Sequence, residues 1–330
     1  MEAMVYEALG RAEVANIAPP QPSAKEVLLR CRASGVCHTD IDILHGRYGE
    51  GRFPLVPGHE YAGEVVEVGE EVQAFKAGDR VVVDPNISCG SCRPCRKGLT
   101  NLCQMLGAYG VTRNGGFAEF SVVQESNLVS IGDMPFAIAA LAEPMGCVLN
   151  GIEAVGSNSV ERALIFGAGP IGLLMAIALR TRGVSDIHVA DIDGGRLELA
   201  ESFGFRPLLS EGEALKPLLG QMDLSVDATG RPAVAESLVR YTANGGKVLF
   251  FGVCAPEAKI SVSPYEIFRR QITMAGAHSL NHNIDAALEA IRSFGPDIGR
   301  LVSHQLPLSE IPDLISGRGP DKTLKVQATW

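Results

Sequence analysis

The chain has 330 residues, 29 of them Lys or Arg and 38 Asp or Glu, for a net charge of −9. That length corresponds to about two domains, each able to bury a hydrophobic core, and excludes a short peptide or a fibre. An acidic balance without long like-charge runs argues against a nucleic-acid or anionic-membrane surface and leaves small soluble ligands as the expected partners. Hydrophobic residues make up 46% and there are 37 glycines, a globular composition rich in tight turns, as α/β folds are.

The N-terminus carries an acid at Glu2 and no apolar run behind a basic patch, so it does not read as a secretory signal. Ala163–Leu179 is the longest nearly uncharged stretch, shorter than the ~20 residues a bilayer requires. With Gly167, Gly169, Pro170 and Gly172 inside it, it reads as buried strand, turn and helix. No membrane association is expected, and a cytoplasmic location is.

From Met4 to about Ser130 the chain shows short β-branched runs cut by Gly, Pro and Asp, which predict strands over Glu26–Arg32, Tyr61–Val68, Arg80–Val83 and Ala118–Val123. Two motifs in this half, Gly35-Val-Cys37-His38-Thr39-Asp40 and Gly58-His59-Glu60, each follow a turn signal and offer metal-ligating groups. Neither fills a tetrahedral shell alone. Together they supply Cys37 and His59 as direct ligands and Glu60 as a third or exchangeable one, with Glu143 in Leu-Ala-Glu-Pro-Met a further candidate. A mixed sulfur, nitrogen and oxygen shell that keeps a displaceable water is what a catalytic zinc needs to polarise an alcohol oxygen.

Four of the eight cysteines fall in one short loop, Cys89-x2-Cys92-x2-Cys95-x7-Cys103, interrupted by Gly90, Pro94 and Gly98. Four thiolates with that backbone freedom suit tetrahedral zinc and leave no open position, so the ion would be structural and hold a lobe together. An iron–sulfur cluster or free thiols are the alternatives. Cys31, Cys147 and Cys254 fit no ligand set and read as small buried side chains.

After about Pro135 apolar strands alternate with helical periods. Strands are predicted over Ala163–Phe166, Ile187–Ala190, Leu224–Asp227, Lys247–Phe251 and Ile272–Ala275, and helices over Ile171–Arg182, Arg196–Phe203, Ala233–Tyr241 and Ile284–Phe294. This βαβα order specifies a doubly wound parallel sheet. The last residues return to Pro and Gly punctuation and a β-like run, Thr323–Ala328, so the tail is expected to rejoin the first domain.

Within the second half, Arg162-Ala-Leu-Ile-Phe-Gly167-Ala-Gly169-Pro170-Ile171-Gly172 places GxGxxG between an apolar strand and a helical period, a context that makes it a dinucleotide fingerprint. Gly167 permits the tight turn, Gly169 admits a pyrophosphate at the helix N-terminus, and Gly172 lets helix and strand pack closely. Asp191 follows Gly167 by 24 residues, at the place where a carboxylate binds adenosine ribose hydroxyls and repels a 2′-phosphate. NAD is therefore favoured over NADP. Asp193 is placed to share that task, and Arg196 keeps NADP open. Thr229 and Val253 lie at strand ends facing the expected crevice, where a nicotinamide or adenine would pack.

These motifs, with Pro57-Gly58-His59-Glu60-x2-Gly63-x-Val65, Gly78-Asp79-Arg80-Val81, Gly115-Gly116-Phe117-Ala118-Glu119 and Glu143-Pro144, resemble in this order the zinc-containing medium-chain alcohol dehydrogenases, and within them the polyol (sorbitol) and threonine branch. The resemblance spans essentially the whole chain. It implies an α/β protein with a GroES-like β-rich catalytic domain over 1–144, a doubly wound Rossmann NAD-binding domain over 145–278, and a segment 279–330 that returns to the catalytic domain, with the active site in the cleft between domains.

It also implies that Cys37, His59 and Glu60 occupy catalytic-zinc positions, and that Glu143, where liver-type enzymes have a ligand cysteine, acts on zinc directly or through water. Thr39 would take the substrate proton, Asp40 would orient His59, and His38 would contact the cofactor pyrophosphate. Two zinc ions per subunit, NAD, an alcohol or polyol substrate and a homodimer or homotetramer follow from the same resemblance. Two positions depart from it. Many relatives have a relay histidine five residues after the first ligand cysteine, where this chain has Asp42 and its nearest histidine is His45; and Gly276-Ala-His278-Ser-Leu lacks the arginine with which polyol enzymes often bind substrate hydroxyls. Threonine or another amino alcohol is the competing substrate, and a non-catalytic, zinc-stabilised NAD-binding module the competing class.

Overall fold

The computed structural model describes residues 1–49, 52–156, 159–211 and 213–330. Two compact units emerge: Met1–Glu143 with Ala287–Ile291 and Ile298–Trp330, and Pro144–Ala286 with Arg292–Asp297. Residues 279–286 thus group with the second unit. There the side chain of Asn150 donates to the carbonyls of His278 and Ser279 and that of Asn283 to Gly146.

The first unit begins with a hairpin, β1 (Glu2–Ala8) and β2 (Arg11–Asn16). It continues through β3 (Glu26–Gly35), α1 (His38–Leu44), β4 (Glu60–Val68) and β5 (Arg80–Val83). A small excursion carries β6 (Asn86–Ile87), α2 (Arg93–Arg96) and β7 (Gly107–Ala108) before β8 (Phe120–Gln124), β9 (Leu128–Ser130) and α3 (Phe136–Ala139). In β3, Val27, Leu29 and Cys31 alternate onto one face, where they meet Tyr61, Val65, Val81 and Val83 in a common core, the period-two pattern of a strand buried on one side.

The second unit opens with α4 (Ala142–Val155), then β10 (Arg162–Phe166), α5 (Pro170–Thr181), β11 (Asp186–Asp191), α6 (Gly194–Ser202), β12 (Arg206–Leu209), β13 (Met222–Asp227), α7 (Pro232–Tyr241), β14 (Thr242–Phe250), α8 (Pro264–Arg270) and β15 (Thr273–Gly276). Among the described residues its six strands lie in the order β12-β11-β10-β13-β14-β15, and every pair is parallel. That order is the doubly wound one, with strand order reversing between β10 and β13. The stretch Phe136–Val155 is long and apolar enough to cross a bilayer by composition, but 72% of its window is buried inside the protein, as a core helix is.

The chain closes with α9 (Ile284–Phe294), β16 (Val302–Pro307), α10 (Ile311–Ile315) and β17 (Lys325–Thr329). The last strand inserts beside β3, completing the sheet order β16-β17-β3-β4-β5-β9, with β8 also on β3. Register then does the positioning: Gly35 stands opposite Glu60 on one side and Gln327 on the other. The end of the chain is thereby brought to the segments that carry Cys37, His59 and Glu60.

Candidate active site

Cys37 is the N-cap of α1, in extended conformation, and Asp40 one turn on closes a capping box with it. The Asp40 carboxylate accepts the Cys37 amide at 2.9 Å and the Gly58 amide at 3.3 Å, and stands 3.5 Å from Nδ1 of His59. One fully buried carboxylate therefore ties together the two segments that carry Cys37 and His59. Tyr6 adds a hydrogen bond from its hydroxyl to the Asp40 carbonyl at 3.1 Å. With Nδ1 turned to Asp40, Nε2 is the imidazole nitrogen left for a metal, the usual arrangement of a ligating histidine.

Donor atoms of Cys37, His59 and Glu60 lie within 4.8 Å of one another. A thiol, an imidazole and a carboxylate converging in this way fit a zinc ion that keeps a further position open. Close approach depends on Gly35, since a Cβ there would stand 2.2 Å from Oε2 of Glu60. Glu143 is buried but is not one of the three convergent donors.

The sequence reading missed Lys325. Its ammonium donates to both Glu60 oxygens at 2.9 and 2.7 Å and to the Val36 carbonyl at 3.2 Å, which uses all three of its protons. Burial works against the charge on Lys325, but Glu60, Cys37 and Glu143 outweigh it and raise its pKa. A lysine inside the apolar end of the chain was the available signal; its partner was decided by the pairing of β17 with β3.

Thr39, partly exposed, sits in the first turn of α1. His38 is exposed, with Nε2 3.7 Å from Asp42, whose carboxylate also pairs with Arg47 at 2.8 Å. His45 is exposed too, its Nδ1 2.8 Å from the Ile41 carbonyl.

In the small lobe Cys89, Cys92, Cys95 and Cys103 bring their sulfurs within 4.8 Å of one another. The Cys92 sulfur lies 3.3 Å from that of Cys95 and 3.9 Å from that of Cys103, near the ~3.8 Å edge of a tetrahedron of Zn–S bonds. Backbone amides point at the sulfurs: Cys92 N–H at Cys89, and Cys89 and Met105 N–H at Cys103. Hydrogen bonds from Ser91 and Cys92 bring the Cys89 thiol down to about 6. The donor set fits a structural zinc.

In the second unit Gly167 has φ +108° and Gly169 is the N-cap of α5, with Pro170 and Ile171 opening the helix. A Cβ on Gly172 would lie 1.7 Å from the Gly167 carbonyl oxygen. Asp191 ends β11, nearly buried, and accepts the Ala168 amide at 2.6 Å and the Asp193 amide at 2.9 Å. It is thus anchored to the glycine turn itself. Asp193 is committed elsewhere, since its carboxylate caps α6. Arg196 brings its guanidinium 3.9 Å from where a Gly169 Cβ would stand. At the neighbouring strand ends Thr229 is exposed and Val253 is 91% exposed, and the Val253 carbonyl lies 2.4 Å from where a Gly230 Cβ would be.

Fold and donor sets together describe a metal-dependent dehydrogenase, and the comparisons agree. Residues 23–133 match the alcohol dehydrogenase GroES-like domain and residues 170–293 the zinc-binding dehydrogenase domain. D-altritol 5-dehydrogenase of Agrobacterium fabrum is 52% identical, with 99% of each chain covered. D-arabinitol dehydrogenase 1 of Uromyces fabae is 29% identical over 99% of this chain and 96% of its own. Among solved structures, a chain from Sinorhizobium meliloti described as a zinc-binding dehydrogenase, bound to NADP, superposes with a TM-score of 0.95 at 30% identity, covering 100% of this chain and 99% of that one. The protein belongs to the zinc-containing medium-chain alcohol dehydrogenases. It is an oxidoreductase of a family that works with zinc and a nicotinamide dinucleotide.

Proposed function

We propose that the protein reversibly oxidises a secondary hydroxyl of a sugar alcohol, of the altritol or arabinitol type, with NAD as hydride acceptor. The observation that carries this reading is the convergence of Cys37, His59 and Glu60 on one point, in a chain 52% identical to an altritol dehydrogenase. Those three residues would hold a catalytic zinc, with Glu143 beside them acting directly or through water. When bound, zinc supplies a Lewis acid that polarises the substrate oxygen, and the nicotinamide takes the hydride. Asp40 holds the His59 ring, Lys325 holds Glu60, and the partly exposed Thr39 hydroxyl would accept the hydrogen bond of the substrate hydroxyl and relay its proton to solvent by giving up its own. Strand β17, at the end of the chain, is on this reading part of the catalytic domain.

The four-cysteine lobe would hold the second zinc of each subunit. Asp191, anchored beside the glycine turn with Pro170 and Ile171 opening the helix, supports NAD over NADP, because its charge opposes a 2′-phosphate. A homodimer or homotetramer is supported by β15, which among the described residues pairs with β14 alone and leaves one edge of the sheet unpaired. Free thiols without a disulfide among the described residues suit a reducing compartment such as the cytoplasm.

The test is NADH formation by zinc-loaded protein on altritol, arabinitol, sorbitol, simple alcohols and threonine, with NADP in parallel and metal content measured on the same preparation. Turnover of polyols with NAD, at two zinc ions per chain, is expected. Turnover of threonine alone would replace the polyol reading. Silence on the whole panel by protein that binds NADH would remove it.

A further inference from the structure

The carboxylate of Asp227 is 1% exposed at the last position of β13. One of its oxygens, Oδ1, accepts both the amide and the hydroxyl of Thr229, at 2.8 and 2.6 Å. The other, Oδ2, is buried and hydrogen-bonds to nothing among the described residues. Its backbone carbonyl accepts the amides of Phe251 and Gly252, at 3.1 and 2.8 Å. Asp227 thus clasps the loop after β13 to the loop after β14, and Gly230 and Gly252 are the glycines that let those loops touch, since a Cβ on either would fall within 2.4 Å of the other loop's backbone. No Lys, Arg or His among the described residues makes an ion pair with it. Its charge reaches Cys254, whose thiol is raised first by burial and then by Asp227.

A buried carboxylate without a cation is costly, and its place in the fold suggests a reason for it. In a doubly wound sheet the dinucleotide crosses the carboxyl ends of the strands, one mononucleotide over each half. The glycine turn and Asp191 mark β10 and β11 as the adenosine side, which leaves β13 and β14, and so Asp227, on the nicotinamide side. The nicotinamide ring is positively charged when oxidised and neutral once it has taken a hydride, so a fixed anion at low dielectric acts on one form and not the other.

We propose that Asp227 is a positioning and electrostatic residue of the nicotinamide half of the cofactor site: it holds the Thr229 and Gly252 loops together, and its uncompensated charge biases binding toward the oxidised cofactor. This rests on the cofactor reading above.

The experiment is titration of NAD and NADH, each separately, into zinc-loaded protein of equal metal content, followed by fluorescence and calorimetry. Asp227→Asn removes the charge and keeps the shape, and is expected to weaken NAD about tenfold while NADH stays within about twofold; tenfold in that ratio moves the bound couple by about 30 mV. Asp227→Glu keeps the charge and disturbs the clasp, so both forms should weaken together. Should the Asn variant fail to fold by circular dichroism, Asp227→Ser, which loses both charge and clasp, must weaken NAD about tenfold more than it weakens NADH. Equal weakening of both forms in the neutral variants, or no change, overturns the electrostatic role. Failure of the unaltered protein to bind either form would instead overturn the cofactor reading.

Discussion

At the scale of single residues the site is organised by two buried charges that are not themselves in the motif-defining triplet. Asp40 joins the Cys37 and Gly58 segments through backbone amides and faces His59, so it fixes where the Cys37 and His59 side chains stand. Lys325 does the same for Glu60. Replacing Lys325 by Met leaves a carboxylate buried without its partner, a change that costs about 3–5 kcal/mol in comparable pairs. On the proposed reading a bound zinc ion would offer Glu60 a second source of positive charge. The loss of stability of Lys325→Met, read by thermal unfolding, is therefore expected to be larger in zinc-stripped than in zinc-loaded protein; an equal loss in both would mean that Glu60 does not serve the ion. Cys37, His59 and Glu60 were legible in the sequence because each sits in a short motif after a glycine. Lys325 was not, because it lies 265 residues from Glu60 along the chain and only sheet pairing joins them.

At the scale of elements, agreement between sequence and structure follows the strength of the local pattern. β5 and α9 have the predicted ends, and the strands at either side of the glycine turn differ from prediction by a residue. β12 escaped prediction because Pro207 interrupts it, which an edge strand tolerates. α4 escaped because it is apolar on nearly every side and carries no helical period to read. β14 begins five residues before the expected Lys247, since the ladder continues through a register shift opposite Met222–Leu224 at Gly245 and Gly246. The contact of α5 with the glycine turn leaves no room at Gly172. Gly172→Ala must push the helix away from Gly167, which overpacking data price at about 1–3 kcal/mol, and NADH affinity should fall by at least about tenfold. Unchanged affinity in a folded variant would show that the turn has no part in holding the pyrophosphate.

At the scale of the whole molecule, stability carries a pH dependence set by a buried histidine of the parallel sheet. His188 on β11 is buried, with Asp186, Arg162 and Arg206 around it. Burial first, and then the two arginines, lower its pKa against the pull of Asp186. The folded state therefore favours the neutral ring, whereas the unfolded chain takes up the proton near pH 6.5. The contribution of His188 is complete above that pH and is lost as pH falls from there toward the folded-state value. Urea midpoints of zinc-loaded protein at pH 7.5 and 5.5 should differ less in His188→Gln than in the unaltered chain; an undiminished difference would assign the acid sensitivity to other groups.

Spacing and residue chemistry alone made legible the four-cysteine cluster, the two short motifs that carry Cys37, His59 and Glu60, the dinucleotide fingerprint with its acid, and the alternation that makes the second half a parallel sheet, because each is a pattern of near neighbours in sequence. Tertiary structure alone decided that β17 delivers Lys325 to Glu60, that Asp193 caps a helix while Asp191 anchors the glycine turn, and that Asp227 is buried with no cation paired to it among the described residues. Those are matters of burial and of distances between residues far apart in sequence, and they come into being only when strands pair.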